Sequence, residues 1–288
     1  MTMATLIAAG RLDESLLRAA LDRAGGLRFV EWVEPGSAAD IEGDGNAADL
    51  RAAFAGWAGV DLIPRAAGAR EKKLLVADMD STMIGQECID ELADYAGIKP
   101  QIAAITERAM QGELDFAAAL RERVGLLGGL AESAITRCLA ERIRPNPGAA
   151  TLVRTMRARG AMTLLVSGGF TAFAGPVAAR LGFERVEANV LEASEGRLSG
   201  SVTGRIVDAA HKAKALIEAR DALGLAATDT IAIGDGANDV LMIESAGLGI
   251  AYRAKPALAA VADARLDHHG LEVLLWAQGI PCAEWVEP

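Results

Sequence analysis

Two aspartates one residue apart close an apolar run: Lys72-Lys73-Leu74-Leu75-Val76-Ala77 leads into Asp78-Met79-Asp80, followed by the hydroxyls of Ser81 and Thr82. Side chains alternate along a strand, so Asp78 and Asp80 emerge on the same side. Carboxylates that close repel each other and shift each other's pKa unless a cation sits between them. The chemistry that suits the pair is a divalent-metal site in which one Asp attacks as nucleophile and the other moves a proton. A solvated pair capping the next helix is the competing reading of this segment taken alone.

Two further apolar runs end the same way. Ala161-Met162-Thr163-Leu164-Leu165-Val166 runs into Ser167-Gly168-Gly169, and Asp229-Thr230-Ile231-Ala232-Ile233 runs into Gly234-Asp235-Gly236-Ala237-Asn238-Asp239. Parallel sheets place ligands at the C-terminal tips of their strands. Three such tips, carrying Asp-x-Asp, Ser-Gly-Gly and Gly-Asp-Gly-x-Asn-Asp, make a coherent metal and phosphate site.

The elements that must hold these tips alternate strand with helix from residue 72 onward, which predicts an α/β fold with a doubly wound parallel sheet. The catalytic core is expected over 72–85 and 144–288. Residues 86–143 between the first two motifs read as a mostly helical insertion, able to fold over the site as a lid. Within it, Phe116–Leu127 is amphipathic, with Arg121 and Arg123 off the apolar face. Pro145-Asn146-Pro147-Gly148 ends it. Further on, a crossover helix is expected over Ala172–Leu181, a hairpin over Glu187–Glu192 and Arg197–Gly204, and a helix over His211–Leu223 with Lys212 in its first turn. Ala246–Tyr252 reads as a late strand and Leu271–Gln278 as a closing helix. Residues 1–68 read as a separate α+β unit in the order βαββαβ: strands at Thr5–Ala9, Leu27–Val33, Ala38–Ile41 and Val60–Ile63, with helices at Asp13–Ala24 and from Asn46 through Trp57. That order is ferredoxin-like and similar in outline to amino-acid-binding regulatory domains of the ACT type. Arg65–Glu71 reads as the linker.

The three motifs resemble those of the haloacid dehalogenase-like (HAD) phosphohydrolases. Asp-Met-Asp-Ser-Thr with Glu87 downstream, Ser-Gly-Gly-Phe and Gly-Asp-Gly-Ala-Asn-Asp resemble in particular the phosphoserine phosphatase family, over roughly residues 72 to 275. The resemblance implies a HAD-like, Rossmannoid core with a small helical cap, and hydrolysis of phosphoserine, the last step of serine biosynthesis. Asp78 matches the nucleophile that takes up the phosphoryl group, and Asp80 is the general acid/base. Mg²⁺ is the implied cofactor, held by the Asp78 carboxylate, the Asp80 main-chain oxygen and Asp235, with Asp239 on a coordinated water or orienting Lys212. Ser167 and the Gly168 and Gly169 amides suit phosphoryl oxygens, since glycine lets the backbone approach closely. Lys212 adds a point charge, preferred over Lys214 by the match to the family pattern, and Asn238 can donate through its amide. For the serine part, Glu87 offers an anion to the ammonium and Arg123 a cation to the carboxylate, with Arg121 as the competing choice. Met110 and Phe116 resemble the apolar wall of the cap. Alternatives are a related phosphatase or phosphotransferase acting on another phosphomonoester, and an amino-acid-binding regulatory protein with an inactive phosphatase domain.

Bulk properties agree with a small-molecule enzyme. The chain has 288 residues, 51% of them hydrophobic but only 4% aromatic, so its core must rest on aliphatic side chains. A net charge of −10 argues against nucleic acid or an anionic membrane as partner. It also means that positive charge for a phosphorylated substrate must be supplied locally. Cys88, Cys138 and Cys282 are widely spaced, with no C-x-x-C pair, as suits a reducing cytoplasm. No run of apolar residues is long enough for a membrane span, and the first ten residues lack a basic start to a signal peptide. A cytoplasmic protein is expected, with a homodimer as one option for its assembly. His211, His268 and His269 show no ligand spacing and read as surface or capping residues.

Overall fold

The computed structural model of the chain describes residues 2–23, 25–65, 70–110 and 113–287, with the Met110 side chain outside that set. The middle of the expected linker, residues 66–69, lies outside the described residues.

The N-terminal elements are β1 (Thr2–Leu12), α1 (Glu14–Arg23), β2 (Arg28–Glu34), β3 (Gly36–Gly43), α2 (Ala47–Phe54) and β4 (Asp61–Pro64). Each helix starts where its sequence supplies a cap. The Asp13 carboxylate accepts the Leu16 N–H at 2.8 Å, and Asn46 and Asp49 close a reciprocal capping box. The sheet runs β2-β3-β1-β4, antiparallel throughout, which is the ferredoxin-like order. Alternation sends Ala4, Leu6 and Ala8 of β1, with Ala39, Ile41 and Leu62, under α1 and α2. The opposite face, carrying Ile7, Ala38 and Ile63, is buried in the main core of the molecule. The β1 strand is longer than the expected Thr5–Ala9 at both ends: it starts at Thr2, paired with Gly43, and continues past Gly10, whose φ of +66° accommodates an irregularity in the β1–β3 register.

The rest of the chain follows as β5 (Leu74–Ala77), α3 (Cys88–Tyr95), α4 (Lys99–Met110), α5 (Phe116–Gly125), α6 (Ser133–Glu141), α7 (Ala149–Ala158), β6 (Met162–Phe170), α8 (Thr171–Leu181), β7 (Arg185–Ser194), β8 (Arg197–Thr203), α9 (Ala209–Ala222), β9 (Thr230–Gly234), α10 (Val240–Ser245), β10 (Leu248–Tyr252), α11 (Pro256–Val261), β11 (Ala264–Leu266) and α12 (Leu274–Ala277). The expected closing helix is thus a short turn, Leu271–Val273, leading into α12. The seven-stranded sheet has the order β11-β10-β9-β5-β6-β7-β8, parallel except for the antiparallel edge strand β8. Leu75 and Ala77 of β5 enter one core and Leu74 and Val76 the other, all with no exposure. A strand covered on both faces must be apolar without interruption, which is what Leu-Leu-Val-Ala provides. Fully burying each large side chain contributes about 1.5–3 kcal/mol, so a charge at Val76 would be enough to break the layer.

This strand order positions the site. β5 lies between β6 and β9, so the three motif-bearing tips stand side by side where the chain reverses its winding. Helices α3 to α6 come from the insertion between β5 and α7.

The N-terminal sheet is joined to the larger unit through polar contacts as well as its apolar face. Asp61, 4% exposed, accepts the N–H groups of Asp267, His268 and His269 at 3.0, 3.1 and 3.1 Å, and the His269 ring Nδ1 at 2.7 Å. The other ring nitrogen of His269 accepts the Ala9 N–H at 3.1 Å, which places its proton on Nδ1. Arg70 bridges Asp40, at 2.9 Å, to the carbonyl of Trp276 at 3.3 Å. His269 and His211 are therefore partly buried and paired, His211 with Glu187 at 2.7 Å, rather than simple surface groups.

Candidate active site

Asp78 and Asp80 fall just beyond β5 but keep extended backbone, with φ/ψ of −70°/160° and −67°/138°, so alternation still delivers both to one cavity. The Asp78 N–H donates to the Ile233 carbonyl at 3.0 Å, continuing the ladder to β9. One Asp78 oxygen accepts the Met79 N–H at 2.8 Å and the Lys212 ammonium at 2.7 Å. Lys212 is 1% exposed and also meets Asp239 at 2.8 Å. Asp208 caps the helix that presents it, accepting the His211 N–H at 2.8 Å.

After Asp80 the chain makes a wide turn, Met79–Met83, in which Ser81 takes a left-handed φ of +55°. Serine rarely adopts this conformation. Here it is held by the Ser81 N–H to the Gln86 carbonyl at 3.2 Å and the Ser81 hydroxyl to Glu87 at 2.6 Å. The Asp80 carboxylate accepts the Cys88 N–H at 3.2 Å, at the first residue of α3. The turn thereby links β5 to the first helix of the insertion.

The third motif closes the acidic end. Asp235 accepts the Thr82 hydroxyl at 3.1 Å, and Lys255 stands 3.7 Å from its other oxygen. Asp239, with no exposure, spends one oxygen on Lys212 and the other on the Asp235 and Gly236 N–H groups at 3.2 and 3.1 Å. Ligand oxygens of Asp78, Asp235 and Asp239 lie within 4.8 Å of one another.

Opposite lies the second motif. Ser167 is 1% exposed, and its hydroxyl accepts the Gly169 N–H at 2.9 Å. Glycine is required by close approach: a Cβ on Gly169 would stand 2.8 Å from an Asp80 oxygen and one on Gly168 3.1 Å from the Phe116 ring. The insertion supplies the remaining wall through Ile89, Phe116, Leu120 and Arg123. The Arg123 Nε donates to the Ala119 carbonyl at 3.3 Å.

Burial and crowding set the electrostatics. Burial, reinforced by the Asp239 charge and opposed by Lys212, raises the Asp78 carboxyl well above its usual range. Burial and the Glu87 charge lift Asp80 to about 7, and burial with Asp239 lifts Asp235 to about 6. Burial alone would lower Lys212, but its two carboxylate neighbours outweigh that and push it up. Burial lowers Arg123, with Asp90 and Glu87 pulling partly back. Asp78 and Asp239 thus share one buried ammonium, and Asp80 and Asp235 add two more carboxylates to the site. Such a donor set of hard oxygens with unbalanced negative charge fits a divalent cation.

Asp78, Asp80, Glu87, Phe116, Arg123, Ser167, Gly168, Gly169, Asp235 and Asn238 are brought together around the cavity. Lys212 and Asp239 stand one layer behind, against Asp78 and Asp235. Arg121 is exposed away from it, while the Met110 side chain lies outside the described residues. Lys255, just beyond β10, was not anticipated; the tip of that fourth strand was the available signal. The hydroxyl of Thr82 and the amide of Asn189 also act on the site, through contacts made across 153 and 21 positions of sequence.

The haloacid dehalogenase-like hydrolase family profile matches residues 75–244. A phosphoserine phosphatase of Albidiferax ferrireducens is 47% identical over 208 residues, covering 70% of this chain and 88% of that protein. One from Mycobacterium tuberculosis is 47% identical over 215 residues, covering 75% of this chain but 52% of its own length. Among solved structures, a probable phosphoserine phosphatase from Vibrio cholerae superposes with a TM-score of 0.81 at 28% identity, over 96% of this chain and 86% of that one.

Proposed function

Because the chain belongs to the haloacid dehalogenase-like hydrolases, we propose that it hydrolyses O-phosphoserine to serine and phosphate through an aspartyl-phosphate on Asp78. One observation carries this reading. A buried carboxylate steadied by Lys212 faces Ser167-Gly168-Gly169 across a cavity lined by the Glu87 anion and by two cations, Arg123 on the insertion and Lys255 beside Asp235. The phosphatase names borne by its relatives agree.

In the first step an Asp78 oxygen attacks phosphorus and the bond to the seryl oxygen breaks, while Asp80 gives that oxygen its proton. In the second, Asp80 takes a proton from water, whose oxygen attacks the aspartyl-phosphate and frees phosphate and Asp78. A carboxyl near pH 7 serves both directions well, since each protonation state is populated at neutral pH. Ser167 and the adjoining amides bind phosphoryl oxygens, Asn238 donates beside them, and Lys255 adds a cation at the mouth. Mg²⁺, held by Asp78, Asp235 and the Asp80 main-chain oxygen, would supply charge neutralisation for the phosphoryl group when bound. Asp239 organises this set by orienting Lys212 and the Asp235 backbone. Glu87 and Arg123 read the ammonium and carboxylate of serine. Among the described residues, no helix is long and apolar enough to cross a membrane.

The test is phosphate release from a panel of small phosphomonoesters, each with Mg²⁺ and with chelator. Phosphoserine should lead the panel and chelator should silence it. Turnover of other esters with none of phosphoserine would remove the substrate assignment.

A further inference from the structure

The β6–β7 ladder breaks at the phosphate-binding motif. Ser167 pairs with Ala188, but the next partners are Phe170 and Asn189, so Gly168 and Gly169 bulge out of the sheet. A bulge drops backbone groups from the ladder, and a buried carbonyl left alone costs about 1–3 kcal/mol. Asn189, 1% exposed, takes over that bond. Its Nδ2 donates to the Gly168 carbonyl at 2.8 Å, and its Oδ1 accepts the Val207 N–H at 2.8 Å. Chemistry fixes the amide's orientation, since a carbonyl can only accept and an N–H only donate.

Both bonds lead to phosphate-binding groups. The Gly168 carbonyl and the Gly169 N–H belong to one planar peptide and point opposite ways. Holding the carbonyl therefore aims the N–H, which donates to the Ser167 hydroxyl at 2.9 Å. That leaves the hydroxyl's own proton free for a ligand. On the other side, Val207 directly precedes Asp208, the cap of α9 and hence of Lys212. Glu187, two positions earlier on β7, holds His211 of the same first turn at 2.7 Å.

We infer that Asn189 is a positioning residue for the phosphoryl subsite: one side-chain amide sets the Ser167-Gly168-Gly169 bulge and ties it to the start of the helix bearing Lys212. The inference rests on the phosphatase reading above. It predicts loss of affinity for the phosphoryl group itself, independent of what that group is attached to.

Asn189→Asp keeps the acceptor for Val207 but replaces the donor to Gly168 with an oxygen; Asn189→Ala removes both. Misplacement on the scale of 1 Å can cost about a hundredfold. We expect kcat/KM to fall roughly 10- to 100-fold in either variant, by the same factor for phosphoserine and for phosphoethanolamine. The inhibition constant of inorganic phosphate should rise alongside; both variants should also melt lower, because each leaves the Gly168 carbonyl unpaired, so the constants are compared per folded molecule. A lower melting temperature with unchanged constants per folded molecule would reduce Asn189 to a structural role and overturn the inference. In the wild type, adding inorganic phosphate should shift the NMR signals of the Asn189 side-chain amide and the Gly169 N–H. Unmoved signals at saturating phosphate would overturn it whatever the variants do. Should the wild type hydrolyse no phosphomonoester, the phosphatase reading falls, and the phosphate titration still decides for or against Asn189.

Discussion

Replacing Arg123 by Ala should separate recognition of serine from chemistry on phosphate. Arg123 sits on the last turn of α5, lines the cavity, and spends Nε on the Ala119 carbonyl at 3.3 Å. Burial already disfavours its charge, so a ligand carboxylate that pairs with it relieves an existing cost. A charge-assisted hydrogen bond contributes about 1.5–3 kcal/mol, which converts to a loss of roughly 10- to 150-fold at 1.4 kcal/mol per decade. The carboxylate does not react, so the loss should appear mainly in KM. Phosphoethanolamine keeps the phosphate and the ammonium but has no carboxylate, and should be affected little. Arg123→Lys should recover part of the loss, because a point charge survives without the two-pronged geometry. Steady-state kinetics of the three proteins on both esters is the assay. Equal losses on both substrates would refute the reasoning and leave Arg123 as a residue that shapes the cavity without reading serine.

Asp78→Asn should abolish turnover, and a beryllium fluoride adduct seen at Asp78 in the wild type with Mg²⁺ should be absent; multiple turnovers by the variant would exclude the covalent route. Asp80→Asn should lower kcat by about 10²–10⁴-fold while still binding substrate, as checked by calorimetry beside kinetics. Asp61→Ala should cost about 3–5 kcal/mol of stability in denaturant titrations, because it strands donors from residues 267–269. Its pH signature also follows. Burial would raise Asp61, but the His269 bond and the Asp267 and His268 amides outweigh it and hold the carboxyl below the usual aspartate range. A carboxyl depressed on folding stabilises fully above its unfolded value and loses that contribution as pH falls through the folded one. Wild type minus Asp61→Ala should therefore be constant from neutral pH to about 5 and shrink only below about 4. A difference that vanished nearer pH 6 would point to another group.

The three strand tips were legible in the sequence because each is local: an apolar run both forms the buried strand and announces where it ends. The helical insertion was legible for the same reason, through the periodicity of Phe116–Leu127. Periodicity alone left Arg121 and Arg123 as alternatives, since both stand off the apolar face; only the packing of α5 over the cavity separates them. Ala264–Leu266 was missed as a strand because three residues carry no usable alternation. Asp40, Asp61 and His269 read as ordinary polar residues until the sheets are docked, because their partners come from sequence-distant segments. Asn189 was hidden in the same way: its role exists only where β7 passes a bulge in β6.

The central place of β5 also sets a timetable for synthesis. The N-terminal sheet draws its strands from the first sixty-four residues and can fold as soon as they emerge. Strand β5 cannot. Ala77 needs Leu165 on one side and Ile233 on the other, and at about 5–20 residues per second the second partner leaves the ribosome roughly 8–30 s after it. Through that interval Leu74-Leu75-Val76-Ala77 is an apolar segment with an open edge, of the kind that holdase chaperones capture. Chains stalled before residue 230 should therefore resist protease at the N-terminal sheet and yield to it from residue 72 onward. The same arrangement that lines up the three motif-bearing tips makes the middle of the sheet the last part of the molecule to become safe from aggregation.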